Sequence, residues 1–319
     1  MSPLDSIRYH KSFLRTGFMS MDPRTGHVKA YVGGIDYNDF QYDMVNGGRR
    51  QIGSTIKPYL YSLAMIEGIS PCDEMLHVQQ RLTDENGRLW EPRNSNKKRI
   101  GEMVSVQWGL QNSDNWVTAW LMSQLSPYTF VRLLHSFGLK NEMDPVVSIC
   151  LGTPDVSVGE MVSGYTTFAN KGIRVEPLYV TRIEDPYGNT IANFNSQMSE
   201  VLTEDASYKM LHMLKNVIDG GTGGRIRARY GIKAPMGGKT GTTQNNSDGW
   251  LWVLRRAWYP VSGSAVKIVL SISTGCRKDR ELVWLCQSMD FTCRSLCRQN
   301  VGLFAGRGFR HSRTVSESL

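Results

Sequence analysis

Gly53-Ser54-Thr55-Ile56-Lys57-Pro58-Tyr59-Leu60-Tyr61-Ser62-Leu63-Ala64-Met65-Ile66-Glu67-Gly68 is the segment around which the rest of this 319-residue chain can be organised. Tyr59, Leu60, Leu63, Ala64 and Ile66 recur at helical spacing, and Gly68 supplies a stop. Proline is tolerated in a helix only in its first turn, where the N–H it lacks would have no partner anyway. Pro58 therefore marks the start and puts Ser54 at or beside the helix N-terminus. The i, i+3 spacing sets the Lys57 amine on the face of the Ser54 hydroxyl, within reach of its proton. Such a lysine can serve as a base if burial or another cation lowers its proton affinity. Without that, the pair is an ordinary helix cap and a surface charge.

Upstream, Phe18-Met19-Ser20-Met21 and Val28-Lys29-Ala30-Tyr31-Val32 flank the turn Asp22-Pro23-Arg24-Thr25-Gly26 and predict a hairpin. Downstream, residues 70–101 are polar and turn-rich with no periodicity. Val104 to Leu139 predicts two helices broken at Ser126-Pro127, and Val158 to Asn170 a helix ended by Gly172. Glu176 to Phe194 reads as a second hairpin about Asp185-Pro186-Tyr187-Gly188-Asn189. Thr203 to Val217 reads as a helix stopping at Gly220-Gly221, and a strand is expected around Lys239. Helices interleaved with hairpins argue for an α+β domain, an antiparallel sheet flanked by helices.

The composition, 40% apolar and 21% charged, is that of a globular body and excludes a disordered, collagenous or coiled-coil chain. A net charge of +8 would suggest nucleic acid, but it is unevenly spread: residues 1–250 carry 26 Lys and Arg against 25 Asp and Glu, residues 251–319 carry 11 against 4. Cysteine divides likewise, with Cys72 and Cys150 in the long part and Cys276, Cys286, Cys293 and Cys297 in the short one. The first two give no disulfide framework or metal spacing and read as buried thiols. No stretch reaches the roughly 18 apolar residues of a membrane span, and the polar start lacks the core of a signal peptide.

Ser-x-x-Lys occurs at Ser54, Ser95 and Ser264, and only Ser54 sits where a helix begins. Ser95 lies in a polar run expected to be a solvated loop, and Ser264 lies in the odd tail. Ser113-Asp114-Asn115, between two helical patterns, offers a hydroxyl and an amide on a turn, and Lys239-Thr240-Gly241-Thr242-Thr243 offers a cation, hydroxyls and a glycine. Each alone is commonplace. S-x-x-K, S-D-N and K-T-G in this order are together the signature shared by class A β-lactamases and penicillin-binding proteins. The chain resembles the transpeptidase domain of bifunctional, class A penicillin-binding proteins over nearly all of residues 12–250. The resemblance extends to Gly33-Gly34 with Asp39-Phe40-Gln41-Tyr42-Asp43, Gly48-Arg49-Arg50-Gln51-Ile52-Gly53-Ser54, Glu160-Met161 to Gly172, Gly221-Thr222-Gly223 and Asp248-Gly249-Trp250.

The resemblance implies a serine β-lactamase/D,D-peptidase-like fold and acyl transfer on peptidoglycan stem peptides, with no metal or organic cofactor and no nucleic acid. Ser54 would attack the carbonyl between two terminal D-alanines, and Lys57 would take its proton. Ser113 would relay a proton to the leaving amine, and Asn115 would hold the substrate amide. Lys239, Thr240, Gly241 and Thr242 would bind the terminal carboxylate, with the Ser54 and Thr242 N–H groups as oxyanion hole. β-Lactams would acylate Ser54. The family also carries a membrane anchor and a glycosyltransferase domain, which places its chemistry on the outer, periplasmic face of the bacterial inner membrane. Alternatives are a D,D-carboxypeptidase or β-lactamase-like hydrolase, in which water resolves the acyl-enzyme, and a catalytically impaired fragment that only binds penicillin.

After Trp250 the resemblance stops, and the Cys-, Arg- and Trp-rich residues 251–319 match no zinc spacing and no ordered basic face. Read one frame over, Trp252-Val253 and Met289-Asp290 must each give Gly, and Trp258-Tyr259 must give Val. Permitted codons let Val261 to Thr274 read Val-Trp-Val-Gly-Gly-Glu-Asp-Arg-Ser-Ile-His-Phe-Asp, which resembles the family's ending. On this reading the chain is a linker remnant (1–16), a transpeptidase domain (17–250) and an out-of-frame tail (251–319), with C-terminal strands aberrant and Lys239 to Thr243 left on an exposed edge. The chain as given is accordingly expected to melt lower than its frame-corrected counterpart and to react with penicillin far more slowly; equal melting temperatures and rates in paired measurements would refute the frame assignment.

Overall fold

The computed structural model of the chain describes residues 2–11, 15–38, 40–83, 87–243 and 247–255. Helix α1 (Pro3–Lys11) precedes the hairpin of β1 (Phe18–Met21) and β2 (Val28–Val32), whose turn is tied by Asp22 Oδ1 accepting from the Arg24 N–H at 2.9 Å. A two-residue strand β3 (Arg50–Gln51) leads into one 3₁₀ turn, Gly53–Ile56, and then α2 (Lys57–Ile66), with Pro58 in its first turn as expected. The polar region holds four short strands, β4 (Glu74–Leu76), β5 (Leu82–Thr83), β6 (Leu89–Trp90) and β7 (Met103–Ser105); β4 pairs with β7, and β5 with β6.

Residues 104–139 hold three helices where two were expected: α3 (Val106–Gln111), α4 (Asn115–Gln124) and α5 (Pro127–Ser136). The extra break arises because Ser113 takes a left-handed φ of +55° and the Asp114 side chain caps α4 by accepting from the Trp116 and Val117 N–H groups. A short polar residue that can bond the backbone beyond it favours such a cap over a continued helix. After β8 (Asp155–Val156), α6 (Val158–Ala169) opens on a capping box in which Ser157 and Glu160 satisfy each other's N–H groups.

The second hairpin is shorter than its sequence suggests. Only β10 (Arg182–Glu184) and β11 (Thr190–Asn193) pair about the expected turn, and outside the expected hairpin β9 (Ile173–Val175) pairs with the later β12 (Met198–Glu200). Helix α7 (Glu204–Gly220), capped by Thr203, and the one-turn α8 (Arg225–Ala228) precede the closing hairpin of β13 (Met236–Thr242) and β14 (Gly249–Arg255). Among the described residues every ladder is two-stranded and antiparallel, so the expected sheet is present as paired ribbons with helices against them.

The closing hairpin corrects the boundary drawn at Trp250. Its ladder runs from Met236↔Arg255 to Thr242↔Gly249, so Leu251 to Arg255 belong to the folded body and β13 is paired along its whole length. Trp252 is fully buried and stacks on Tyr165 with ring centroids 5.3 Å apart. Tyr165 in turn packs edge-on against Tyr59 of α2 at 5.4 Å, so an aromatic column joins β14, α6 and α2 through the core. The frame reading beyond residue 255, with the four later cysteines, lies outside the described residues. Cys150 is buried as expected, whereas Cys72 is exposed.

Two glycines hold the 3₁₀ turn in place. The Gly53 N–H donates to Gly152 O at 3.0 Å, and at Gly152, whose φ is +87°, a Cβ would overlap Gly53 O. Gly68 has a comparable φ of +93° but open space around it. Gly152→Ala should therefore cost about 3 kcal/mol, from backbone strain plus overlap, against about 1 kcal/mol for Gly68→Ala, which carries the strain alone. Urea unfolding of the two variants checks the difference, and equal losses would show that the contact with Gly53 does not matter.

Candidate active site

The 3₁₀ turn sets Ser54 above Lys57, since three residues per turn eclipse positions i and i+3. Gly53, Thr55 and Ile56 are buried while Ser54 stays partly open to solvent. Behind it, Thr55 Oγ1 donates to Ile52 O at 2.6 Å and the Tyr165 hydroxyl to Thr55 O at 2.6 Å.

Lys57 is fully buried, and its Nζ donates to Ser113 O at 2.7 Å, Asp114 O at 3.2 Å and Asn115 Oδ1 at 2.6 Å. All three of these bonds go to the Ser113–Asn115 turn rather than to Ser54. Burial pushes the amine down to about 8, against the opposing pull of the Asp114 carboxylate and a smaller one from Cys150. Burial raises the Cys150 thiol to about 12, so it stays protonated at neutral pH.

Lys239 reaches the same turn from β13. It is fully buried, donating to Ser113 Oγ at 2.8 Å and to Thr240 O at 2.9 Å. Burial, and next the charge of Lys57, hold it well below the usual lysine range. Gly241 lies against the serine turn, where a Cβ would come within 2.5 Å of Thr55 Cγ2, and Gly53 in turn faces Thr242 O. The side chains of Thr240 and Thr242 are the more accessible ones on this stretch, and Thr240 Oγ1 donates to Thr222 Oγ1 at 2.8 Å.

Ser54, Lys57, Ser113, Asn115 and Lys239 to Thr242, far apart in sequence, thus converge on one place. Ser95 lies exposed in its loop, and Ser264 is outside the described residues. Sequence reading gave no role to several residues that hold the site. Asp114 is fully buried and accepts from the Asn94 amide at 2.7 Å, while Asn115 Nδ2 donates to Arg93 O at 2.7 Å. Arg50 Nε donates to Asp248 Oδ1 at 2.9 Å and Trp250 Nε1 to Gln51 O at 2.9 Å, tying the closing hairpin to the residues just before Ser54. Asp114 before a helical pattern was a legible cap signal; the Arg50–Asp248 pair, 198 residues apart, had none. Among the described residues no group of three or more His, Cys, Asp or Glu side chains could hold a metal ion.

Asp248 is nearly buried and also accepts from Thr243 Oγ1 at 3.0 Å, so removing Arg50 strands a carboxylate. Arg50→Ala should lower stability by about 2 kcal/mol, and the double variant Arg50→Ala with Asp248→Asn should recover part of that. Thermal melts decide it: no loss in the single variant would show the hairpin to be docked by its apolar face alone.

Residues 16–259 match the family model described as the penicillin binding protein transpeptidase domain. Penicillin-binding protein 2D of Bacillus subtilis is 31% identical over 248 residues, covering 75% of this chain and 35% of that protein. Penicillin-binding protein 1A of Rickettsia conorii is 30% identical over 256 residues, covering 73% of this chain and 32% of that protein. The chain thus spans about a third of the length of these curated relatives. The crystal structure of penicillin-binding protein 1A from Haemophilus influenzae superposes with a TM-score of 0.72 at 21% identity, covering 82% of this chain and 43% of that one. The D,D-transpeptidase domain of a peptidoglycan glycosyltransferase from Eggerthella lenta gives 0.67 at 18% identity, covering 85% and 76%. These likenesses establish the serine penicillin-recognising fold.

Proposed function

This chain belongs to the penicillin-binding protein transpeptidase family, and from that premise we propose that it crosslinks peptidoglycan stem peptides through an acyl-enzyme on Ser54. The observation that carries the proposal is the convergence of two buried lysines, Lys57 and Lys239, on the single turn Ser113–Asn115 beside Ser54.

Ser54 attacks the carbonyl between two terminal D-alanines, and Lys57 takes the hydroxyl proton. With its amine at about 8, Lys57 is neutral in about a tenth of molecules at pH 7, a usable fraction for a base. Ser113, in hydrogen-bond contact with Lys239 through Oγ and with Lys57 through its carbonyl, is placed to hand a proton to the departing D-alanine nitrogen. Asn115 orients the substrate amide. The N–H groups of Ser54 and Thr242 stabilise the tetrahedral oxyanion, with each such donor commonly worth about 3 kcal/mol.

Lys239 with Thr240 and Thr242 takes the terminal carboxylate, a planar anion suited to a cation and flanking hydroxyls, while Gly241 lets the strand lie close to the serine turn. Arrival of that carboxylate favours the charged form of Lys239. Charge on Lys239 in turn disfavours charge on Lys57, so substrate binding promotes the base form where it is needed. An amine from a neighbouring stem peptide then resolves the acyl-enzyme. By family the donor and acceptor strands lie outside the inner membrane, and the whole protein pairs this domain with a glycosyltransferase.

Fluorescent penicillin should label the chain covalently, and Ser54→Ala should abolish the label; a labelled alanine variant would remove Ser54 as nucleophile. Because the reactive form of Lys57 is the neutral one, the acylation rate should climb with pH and level off above a midpoint near 8. A stopped-flow profile that is flat from pH 6 to 9 would exclude Lys57 as base. Incubation with a D-Ala-D-Ala peptide, with and without an acceptor amine, separates transfer from hydrolysis.

A further inference from the structure

Thr222 stands in the glycine run Gly220-Gly221-Thr222-Gly223-Gly224 that closes α7. Its backbone is fixed from two sides. The Thr222 N–H donates at 3.1 Å to the carbonyl of Gln111, the last residue of α3, while the N–H groups of Gly221 and Gly223 donate to Val217 O at 3.2 and 3.0 Å. Glycine is required for so close an approach, since a Cβ on Gly221 would overlap Gln111 O and one on Gly223 would lie 2.6 Å from Ile218 Cδ1. Gln111 shortly precedes Ser113, so the loop is anchored to the chain that forms the Ser113–Asn115 turn.

The Thr222 side chain crosses to the other wall of the site. Thr240 Oγ1 donates to Thr222 Oγ1 at 2.8 Å, with Thr222 exposed and Thr240 half-buried. A threonine hydroxyl has one proton, and an ionised carboxylate only accepts, so a threonine binds such an anion through that proton alone. Thr240 directs its proton to Thr222. Thr222 keeps its own, and among the described residues Thr240 is the one hydrogen-bond partner of its hydroxyl. Accepting from Thr240 also makes Thr222 a stronger donor, because hydrogen bonds in a chain polarise one another. Two hydroxyls in contact thus spend one proton between them and present the other outward, from the more accessible oxygen.

We propose that Thr222 is a substrate-binding residue for the terminal carboxylate: Thr240 holds its oxygen in place, and the Thr222 hydroxyl donates to the anion seated at Lys239 and Thr242. This rests on the function proposed above and extends it by one residue, with Thr240 serving the carboxylate through Thr222. A donor on a backbone tied at Gln111 and Val217 loses little freedom when the anion arrives, so more of its hydrogen bond appears as affinity. A ligand without the negative charge gains less from the same donor, which makes Thr222 a determinant of selectivity for a free carboxylate over its ester or amide.

The test compares benzylpenicillin with its methyl ester, which differ only at the carboxylate, in acylation of the full chain. The wild type should prefer the acid. Thr222→Val keeps the shape of the side chain and should lower the acid-to-ester ratio of acylation rate constants about tenfold, the loss of one hydrogen bond to a charged group. Thr222→Ser, which restores the hydroxyl, should restore the ratio. An unchanged ratio in Thr222→Val, whether both rates fall together or neither falls, would make Thr222 a structural loop residue and overturn the proposal. A wild type with no preference for the acid would overturn it as well. If Thr222→Val does not fold, Thr222→Ala reads the same ratio. Ser54→Ala, which cannot be acylated at that position, separates this proposal from the function it rests on: NMR titration with a D-Ala-D-Ala peptide and its C-terminal amide there reads binding alone. Adding Thr222→Val should weaken binding of the acid about tenfold relative to the amide, and equal weakening of both would again overturn the proposal. A chain that binds the acid in this way but is not acylated as wild type would sink the proposed function alone.

Discussion

Two lysine amines withdrawn from water within one small site are the constraint that shapes this protein. A buried cation costs several kcal/mol unless acceptors replace its water. Lys57 finds three, all on residues 113–115, and Lys239 finds Ser113 Oγ and its own strand's Thr240 O. The turn must therefore present two carbonyls, an amide oxygen and a hydroxyl from consecutive residues. Ser113 at positive φ and Asp114 in an extended conformation achieve this, and the helix that follows is capped by the same aspartate. A break in the helical run, locally unfavourable, is thus what lets both lysines stay inside.

The scaffold holds the three parts of the site together by two unlike means. An apolar column from Tyr59 through Tyr165 to Trp252 fixes the large-scale placement of α2, α6 and the closing hairpin. Polar ties then set the register close to Ser54. Trp250 Nε1 donates to Gln51 O, Arg50 pairs with Asp248, and Gly53 and Gly241 allow backbone contact that any side chain would prevent. Apolar packing tolerates small slips, whereas hydrogen-bonded contacts at this range do not, and displacements of about 1 Å in such sites cost on the order of a hundredfold in rate.

Electrostatically the site is poised rather than neutralised. Burial lowers both lysines, each cation disfavours the other, and Asp114 pulls Lys57 back toward its charged form. Neither group's proton affinity can be assigned without the other's state, so any anion reaching Lys239 is felt at Lys57. Asp114, which caps α4 and accepts from the Asn94 amide, sits where backbone shape and the proton affinity of Lys57 are coupled.

Much of this was legible in the amino-acid sequence because its causes are local. Pro58 dates the start of α2, Asp22-Pro23-Arg24-Thr25-Gly26 makes its turn, Thr203 caps α7, and three short motifs name the chemical groups of the site. Periodicity, capping and turn chemistry act over a few residues, so they can be read from a few residues. The partners of Lys57, the His77–Asp114 pair 37 residues apart, the pairing of β9 with β12 and the membership of Leu251 to Arg255 in the folded body were decided only in three dimensions. A buried charge takes whichever acceptors packing brings to it, and a strand takes whichever edge the helices leave open; neither choice is written in the neighbouring residues.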